Sequence, residues 1–130
     1  MHKIERIHFG YKLTFADFIR ADEMLDWLRE AEQLLSPQIG AFSVLVDMRD
    51  LKPLPSDAQQ HLQKGQKLFK TKGMERSAVV LQNPVITLQF KRLATETGIY
   101  AWERYFDASK TPDWEAKATA WLTAGIDPDK

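Results

Sequence analysis

The sequence has no cysteine among its 130 residues. That absence removes disulfide frameworks, zinc ribbons, iron–sulfur sites and cysteine nucleophiles together. A surplus of either charge is missing too, with 18 Lys+Arg against 18 Asp+Glu and a formal net charge of zero. A general nucleic-acid binder rests on excess Lys and Arg, so nucleic acid is not an expected partner. No run reaches the roughly 18 apolar residues that a membrane-crossing helix needs. Residues 1–6, Met-His-Lys-Ile-Glu-Arg, hold no apolar core of signal-peptide length. We therefore expect no transmembrane segment and a cytoplasmic location. The three histidines are His2, His8 and His61. They form no ligand-spaced set, so neither a metal nor a cofactor is expected.

What remains is an ordinary globular composition, 44% hydrophobic and 28% charged. A chain of this length can bury a core without staples and fits one domain over 1–130, with 126–130 as a polar tail. Residues 3–9 form a short extended candidate carrying Ile4, Ile7 and Phe9. Gly10 and Tyr11-Lys12 break it. Thr14 and Asp17, three apart, resemble a capping box. The spacing of Phe18, Ala21, Leu25, Leu28 and Leu35 predicts a first helix over 15–35, with Trp27 at the margin of its stripe. Residues 41–48 read as a strand, buried on both faces around Val44-Leu45-Val46.

Ser56 is placed to cap a second helix over 57–71, with Asp57 favourable at its positive end. Ala58, Leu62, Gly65 and Phe69 share one face of it. Residues 76–82 make the next strand. Asn83-Pro84 then starts a third helix, with Ile86, Phe90, Leu93 and Ala94 as its inner stripe and Gly98 as its stop. An aromatic-rich strand over 99–106 follows. A last helix runs from Thr111-Pro112 to Gly125, burying Trp114, Ala118, Trp121 and Leu122. Strands alternating with helices imply parallel pairing and right-handed crossovers. The expected fold is α/β, a single small domain with a four-stranded, mainly parallel sheet and four helices.

The ordered set of segments resembles the STAS family, and within it the SpoIIAA-like branch related to anti-sigma-factor antagonists. Residues 10–18, Gly-Tyr-Lys-Leu-Thr-Phe-Ala-Asp-Phe, are similar to the Gly–Leu–Thr–Asp approach to the first helix. Val44-Leu45-Val46-Asp47-Met48 resembles the family's strand ending in Asp, and Arg76-Ser77-Ala78-Val79-Val80 resembles its next core strand. Tyr105-Phe106-Asp107 and Ala118-Thr119-Ala120-Trp121-Leu122 resemble the last strand and helix. The resemblance implies a regulatory or binding module that meets a protein partner. Its broader structural relatives include lipid-binding domains, which extends the implied ligands to apolar ones.

There are two departures from the family pattern. Its extra first strand has no counterpart in this reading, which leaves four strands and an open edge. The phosphorylated Asp-Ser-Ser/Thr-Gly stretch is replaced by Pro55-Ser56-Asp57-Ala58, without the glycine and with an acid at the second hydroxyl position. The resemblance thus carries the fold further than it carries a phospho-switch.

Among the chemistry-bearing residues, Ser56 and His61 are the only nucleophile and base close in sequence. Five positions apart, they fall on different sides of a helix, and no Gly-x-Ser-x-Gly elbow exposes the serine. No catalytic residues are expected, and the protein is read as no enzyme. Asp57 and His61, four apart, fit a surface ion pair. Asp47, Arg49 and Asp50 end a central strand, where open α/β sheets bind ligands. With Ser56 and Asp57 at the next helix start they are the candidate site for a partner or a small amphipathic or anionic ligand. Loop solvation and capping is the simpler account of the same residues.

Lys64, Lys67 and Lys70 make a basic face, suited to an anionic partner or lipid headgroups and equally to plain solvation. Counted by segment, 1–36 holds 5 basic and 7 acidic residues, and 57–76 holds 5 basic and 2 acidic. Opposed patches of this kind favour an alternative reading, a homodimeric scaffold without a small-molecule ligand.

Overall fold

The computed structural model describes residues 1–130. Strand β1 (His2–Ile7) turns through His8-Phe9 into β2 (Gly10–Phe15). Tyr11, Leu13 and Phe15 alternate inward along β2 while Lys12 and Thr14 stay half-exposed, the period of a strand. Gly10 allows the tight return. Its φ is +153°, and a Cβ there would lie 2.0 Å from the Ser43 carbonyl oxygen. Then follow α1 (Ala21–Leu35), β3 (Phe42–Asp47), α2 (Ser56–Thr71), β4 (Met74–Leu81), α3 (Pro84–Thr97), a 3-10 turn (Ile99–Ala101), β5 (Glu103–Asp107) and α4 (Trp114–Ala124).

The sheet has five strands in the order β1-β2-β3-β4-β5. The β1–β2 pair is antiparallel and the remaining three pairs are parallel. The expected four-stranded sheet is therefore corrected to a five-stranded mixed one. Residues 10–15, read as a break and a helix start, form the added strand. Helix α1 begins only at Ala21, without a side-chain cap. The Thr14–Asp17 spacing is not a cap: Asp17 has φ +62° and pairs through its backbone with Leu51.

The two faces of the sheet are unequal. On one, Tyr11, Leu13, Phe15, Val44, Val46, Val79 and Tyr105 meet Met24, Trp27, Leu28, Ala31 and Leu35 of α1, Ala58 and Phe69 of α2, and Ala94 of α3. On the other, Leu45, Ala78, Val80 and Phe106 meet only α4, through Trp114, Ala118, Trp121 and Leu122. Trp27 is no marginal residue. It is 1% exposed, edge-on to Phe15 and stacked on Phe69.

The start of α3 follows the expected chemistry: the Asn83 side chain accepts from the Val85 and Ile86 amides, and Gly98 ends the helix left-handed. Its buried residues, however, are Thr87 and Ala94, while Ile86 and Leu93 stay exposed. The strand expected over 99–106 begins with the 3-10 turn, and only Glu103–Asp107 pairs.

His2 pins β1 to α1, its Nδ1 2.8 Å from Glu23 Oε2 and its Nε2 3.0 Å from Glu30 Oε1. Partial burial would lower the imidazole pKa, but the two carboxylates outweigh it and hold the value above normal. The contribution to stability is complete below the unfolded value of roughly 6.5 and is lost as pH rises through the higher folded value. Thermal melts from pH 5 to 9 are expected to show a fall that His2→Gln flattens.

Candidate functional site

The residues singled out at the end of β3 are largely occupied by one another. The Asp47 carboxylate, 7% exposed, takes a two-pronged bond from Arg49, with Nε to Oδ1 at 3.0 Å and Nη2 to Oδ2 at 2.8 Å. The Arg49 backbone amide donates to Oδ1 as well. Burial would raise the Asp47 pKa, but the hydrogen bonds from Arg49 prevail and hold it below the usual carboxylate range. The Arg49 guanidinium also lies over the Trp114 ring, 5.0 Å from its centre. This arginine is committed within the protein rather than offered to an anion.

Asp50 contributes its backbone carbonyl to the Asp17 amide. Ser56 and Asp57 stand exposed at the start of α2, unconnected to the other three by hydrogen bond or ion pair. Pro55, not Ser56, holds the cap position. Asp57 bonds the Ala58 amide, and no Asp57–His61 ion pair forms. The basic face also divides. All three lysines are exposed, but Lys70 also donates to the Met74 carbonyl at 3.2 Å and lies 4.5 Å from the centre of the Trp102 ring.

A different constellation lies between α2 and the sheet. A cavity of about 30 Å³ is lined by Leu13, Phe15, Trp27, Val44, Val46, Met48, Leu62, Phe69, Met74 and Val79, with Gln66, Ser77 and Glu103 as its polar members. Glu103 points to this face because it alternates with Arg104 along β5. Its partner residue in the ladder is Ser77 of β4. The Ser77 hydroxyl donates to Glu103 Oε1 at 2.8 Å, and the Tyr105 hydroxyl to Oε2 at 2.5 Å.

No cation contacts the Glu103 carboxyl, which is 8% exposed. Burial pushes its pKa up, against the pull of the two hydroxyls, and so favours the neutral acid. Burial and the neighbouring carboxyl likewise push the Tyr105 phenol up. Two further polar atoms on this side of the sheet are buried without a partner, Trp27 Nε1 and His61 Nδ1. An unpartnered buried donor or acceptor costs about 1–3 kcal/mol.

Sequence reasoning missed Glu103, Ser77 and Tyr105. The available signal was a Glu among aromatic residues at an inward strand position, but its partner lies 26 residues away. No group of three or more His, Asp or Glu side chains is placed to hold a metal ion. No helix is long and apolar enough to cross a membrane.

A five-stranded mixed sheet with three helices on one face and one on the other defines the class, a small α/β module. Comparison with solved structures sharpens it. A DUF3478-family protein with a SpoIIAA-like fold from Shewanella loihica PV-4 superposes with a TM-score of 0.64. It covers 94% of this chain and 92% of its own at 17% identity. The chain thus has the SpoIIAA-like fold. No protein-family model matches the sequence, and no curated protein matches it.

Proposed function

We propose that this protein is a non-enzymatic binding module of the SpoIIAA-like type whose ligand is a small amphipathic molecule received between α2 and the sheet. The observation that carries the reading is an apolar cavity bordered by one buried carboxyl, Glu103, that has hydroxyl partners but no cation. Carboxylates are seldom this buried without a paired charge. Ligand sites combine apolar walls with a few polar groups that fix orientation, and titratable groups with shifted pKa values cluster there.

The chemistry of Glu103 narrows the ligand class. A ligand hydroxyl meets both the donor and the acceptor of the neutral acid, and an ammonium can draw Glu103 into its ionised form as a partner, whereas an ionised carboxylate head finds no cation among the lining residues to pair with. The cavity has room for about two water-sized groups. A ligand larger than this therefore enters by displacing α2 from the sheet. Of its 16 residues only Ala58, Gly65 and Phe69 are fully buried. The helix lies between Pro53 and Pro55 on one side and Gly73, at φ +115°, on the other. Native mass spectrometry of gently purified protein is expected to show an added mass in part of the 15.0 kDa population. Filling the cavity with Val79→Phe is expected to remove it. An added mass that survives the filled cavity argues against this site.

A second reading, a protein partner or a second copy of the chain, rests on α3. Its Val85, Leu88 and Leu93 are 62%, 63% and 58% exposed. Clustered exposed apolar side chains mark interaction surfaces. Light scattering is expected to show concentration-dependent association that Leu88→Asp abolishes. A monomer at all concentrations removes the homodimeric version.

A further inference from the structure

The segment Ile126–Lys130, which reads as a free polar tail, is bound down. Its anchor is Arg104, on the α4 face of β5, with a side chain only 8% exposed. Arg104 Nε and Nη2 grip the two oxygens of Asp127 at 2.9 and 3.0 Å. The same guanidinium lies against two rings, 3.8 Å from the centre of Tyr100 and 4.3 Å from that of Trp121. Nη1 donates to the carbonyls of Tyr100 and Glu103. Asp129 is held in turn by Lys91 Nζ at 3.2 Å and by the Tyr100 hydroxyl. The guanidinium beside Asp127 holds its carboxyl down to about 2.

The site is larger than its occupant. Arg76, one strand over on the same sheet face, lies against the same Trp121 ring at 5.7 Å. It sits beside Gly125, where an added Cβ would be 3.2 Å from its Nη1. The Arg76 Nε is buried without a hydrogen-bond partner. Its only ionic neighbour is the exposed Glu75, at 3.8 Å. Arg104 is thus satisfied by the segment's carboxylates, and Arg76 is not. The segment also has no apolar anchor, since Ile126 is 61% exposed.

We propose that Arg104 and Arg76, flanking Trp121, form a receptor for an acidic peptide of the Asp-x-Asp kind, and that Asp127-Pro128-Asp129 occupies half of it in cis. Planar guanidinium forks suit paired carboxylates, and stacking on aromatic rings fixes them in place. The cis segment has the advantage of effective concentration, equivalent to millimolar free peptide. A partner that also reaches Arg76 gains a contact the cis segment does not make. This site is on the opposite face of the sheet from the cavity and stands independently of it.

The test uses the full chain and a fluorescently labelled peptide, Asp-Asp-Gly-Ile-Asp-Pro-Asp-Lys, read by anisotropy. The Asp127→Asn/Asp129→Asn variant is expected to bind it at least about tenfold more tightly than the unaltered protein. Adding Arg104→Gln abolishes that binding, and Arg76→Gln weakens it. Binding also weakens as salt rises from about 0.1 to about 0.5 M. The proposal is overturned if the folded Asn variant binds no better than the unaltered protein, or if Arg104→Gln leaves its binding intact. It is overturned as well if the Asn variant loses its native circular dichroism, because the segment is then a structural brace and not a displaceable occupant.

Discussion

Gly65→Ala is expected to lower stability by about 2 kcal/mol, although alanine is favoured over glycine in a helix interior by about 1 kcal/mol. Gly65 is where α2 meets α1. An added Cβ would lie 2.1 Å from Trp27 Cη2 and 2.2 Å from Cζ3, inside any tolerable contact. The indole has little room to retreat, since the cavity beside it is only about 30 Å³. It is stacked on Phe69 at 14° between planes and packed edge-on to Phe15. Overpacking of a filled core typically costs about 1–3 kcal/mol, occasionally more, and here it outweighs the gain in propensity. Urea unfolding measures the difference. Trp27→Phe in the Gly65→Ala background is expected to recover part of it, because a smaller ring frees space for the new methyl group. The coupling between the two positions is then the signature of direct contact. A Gly65→Ala protein as stable as the parent would mean that α2 rides higher than the structure places it.

Removing the Glu103 carboxyl is expected to show a second large effect, one whose size depends on pH. Glu103→Ala deprives the Ser77 and Tyr105 hydroxyls of their shared partner. Each buried hydroxyl left alone costs about 1–3 kcal/mol, so about 2–6 kcal/mol is expected at pH 5. Glu103→Gln preserves the shape and separates charge from packing. The folded carboxyl titrates above its unfolded value of roughly 4.3, so the folded state binds the proton more tightly. That contribution is full below the unfolded value and is lost as pH rises through the folded one. The stability of Glu103→Gln relative to the parent is therefore expected to climb with pH. Denaturant midpoints at pH 4, 5, 6, 7 and 8 read it directly. A constant difference across that range would mean that Glu103 titrates in the folded protein as it does in the unfolded chain and that the cavity side is wetter than its lining suggests.

Much of the architecture is written locally. Val44-Leu45-Val46 reads as a doubly buried strand because it is one. Asn83-Pro84 specifies the start of α3 through the cap and the missing proline N–H. Trp114, Ala118, Trp121 and Leu122 repeat at helical spacing and do bury together. The first hairpin was not legible for a physical reason. Thr14 and Asp17 carry the spacing of a helix cap, and Phe18 and Ala21 extend a helical pattern backwards from α1. Phe18 is 76% exposed in the structure, so that extension carries no packing. The alternation Tyr11, Leu13, Phe15 is only three members long, and pairing with β1 and β3 decides its fate.

The candidate site was legible in part. Asp47 and Arg49 do come together, yet as a closed pair stacked on Trp114. The cavity was beyond sequence reading because its polar group is made by pairing β4 with β5. Ser77 and Glu103 meet only when the ladder sets their register. The same ladder places Arg76 and Arg104 on the opposite face, against Trp121.

The central claim, an amphipathic ligand held beneath α2, is tested most directly by titrating 1-octanol, octylamine and octanoate into the protein while following tryptophan emission. Trp27 lines the cavity and supplies the signal, and Trp27→Phe identifies its share. Saturable changes are expected with the alcohol and the amine, weak or no change with octanoate at pH 7, and loss of the response in Val79→Phe. Saturation that Val79→Phe leaves unaltered, or no saturation with any of the three, would contradict that claim.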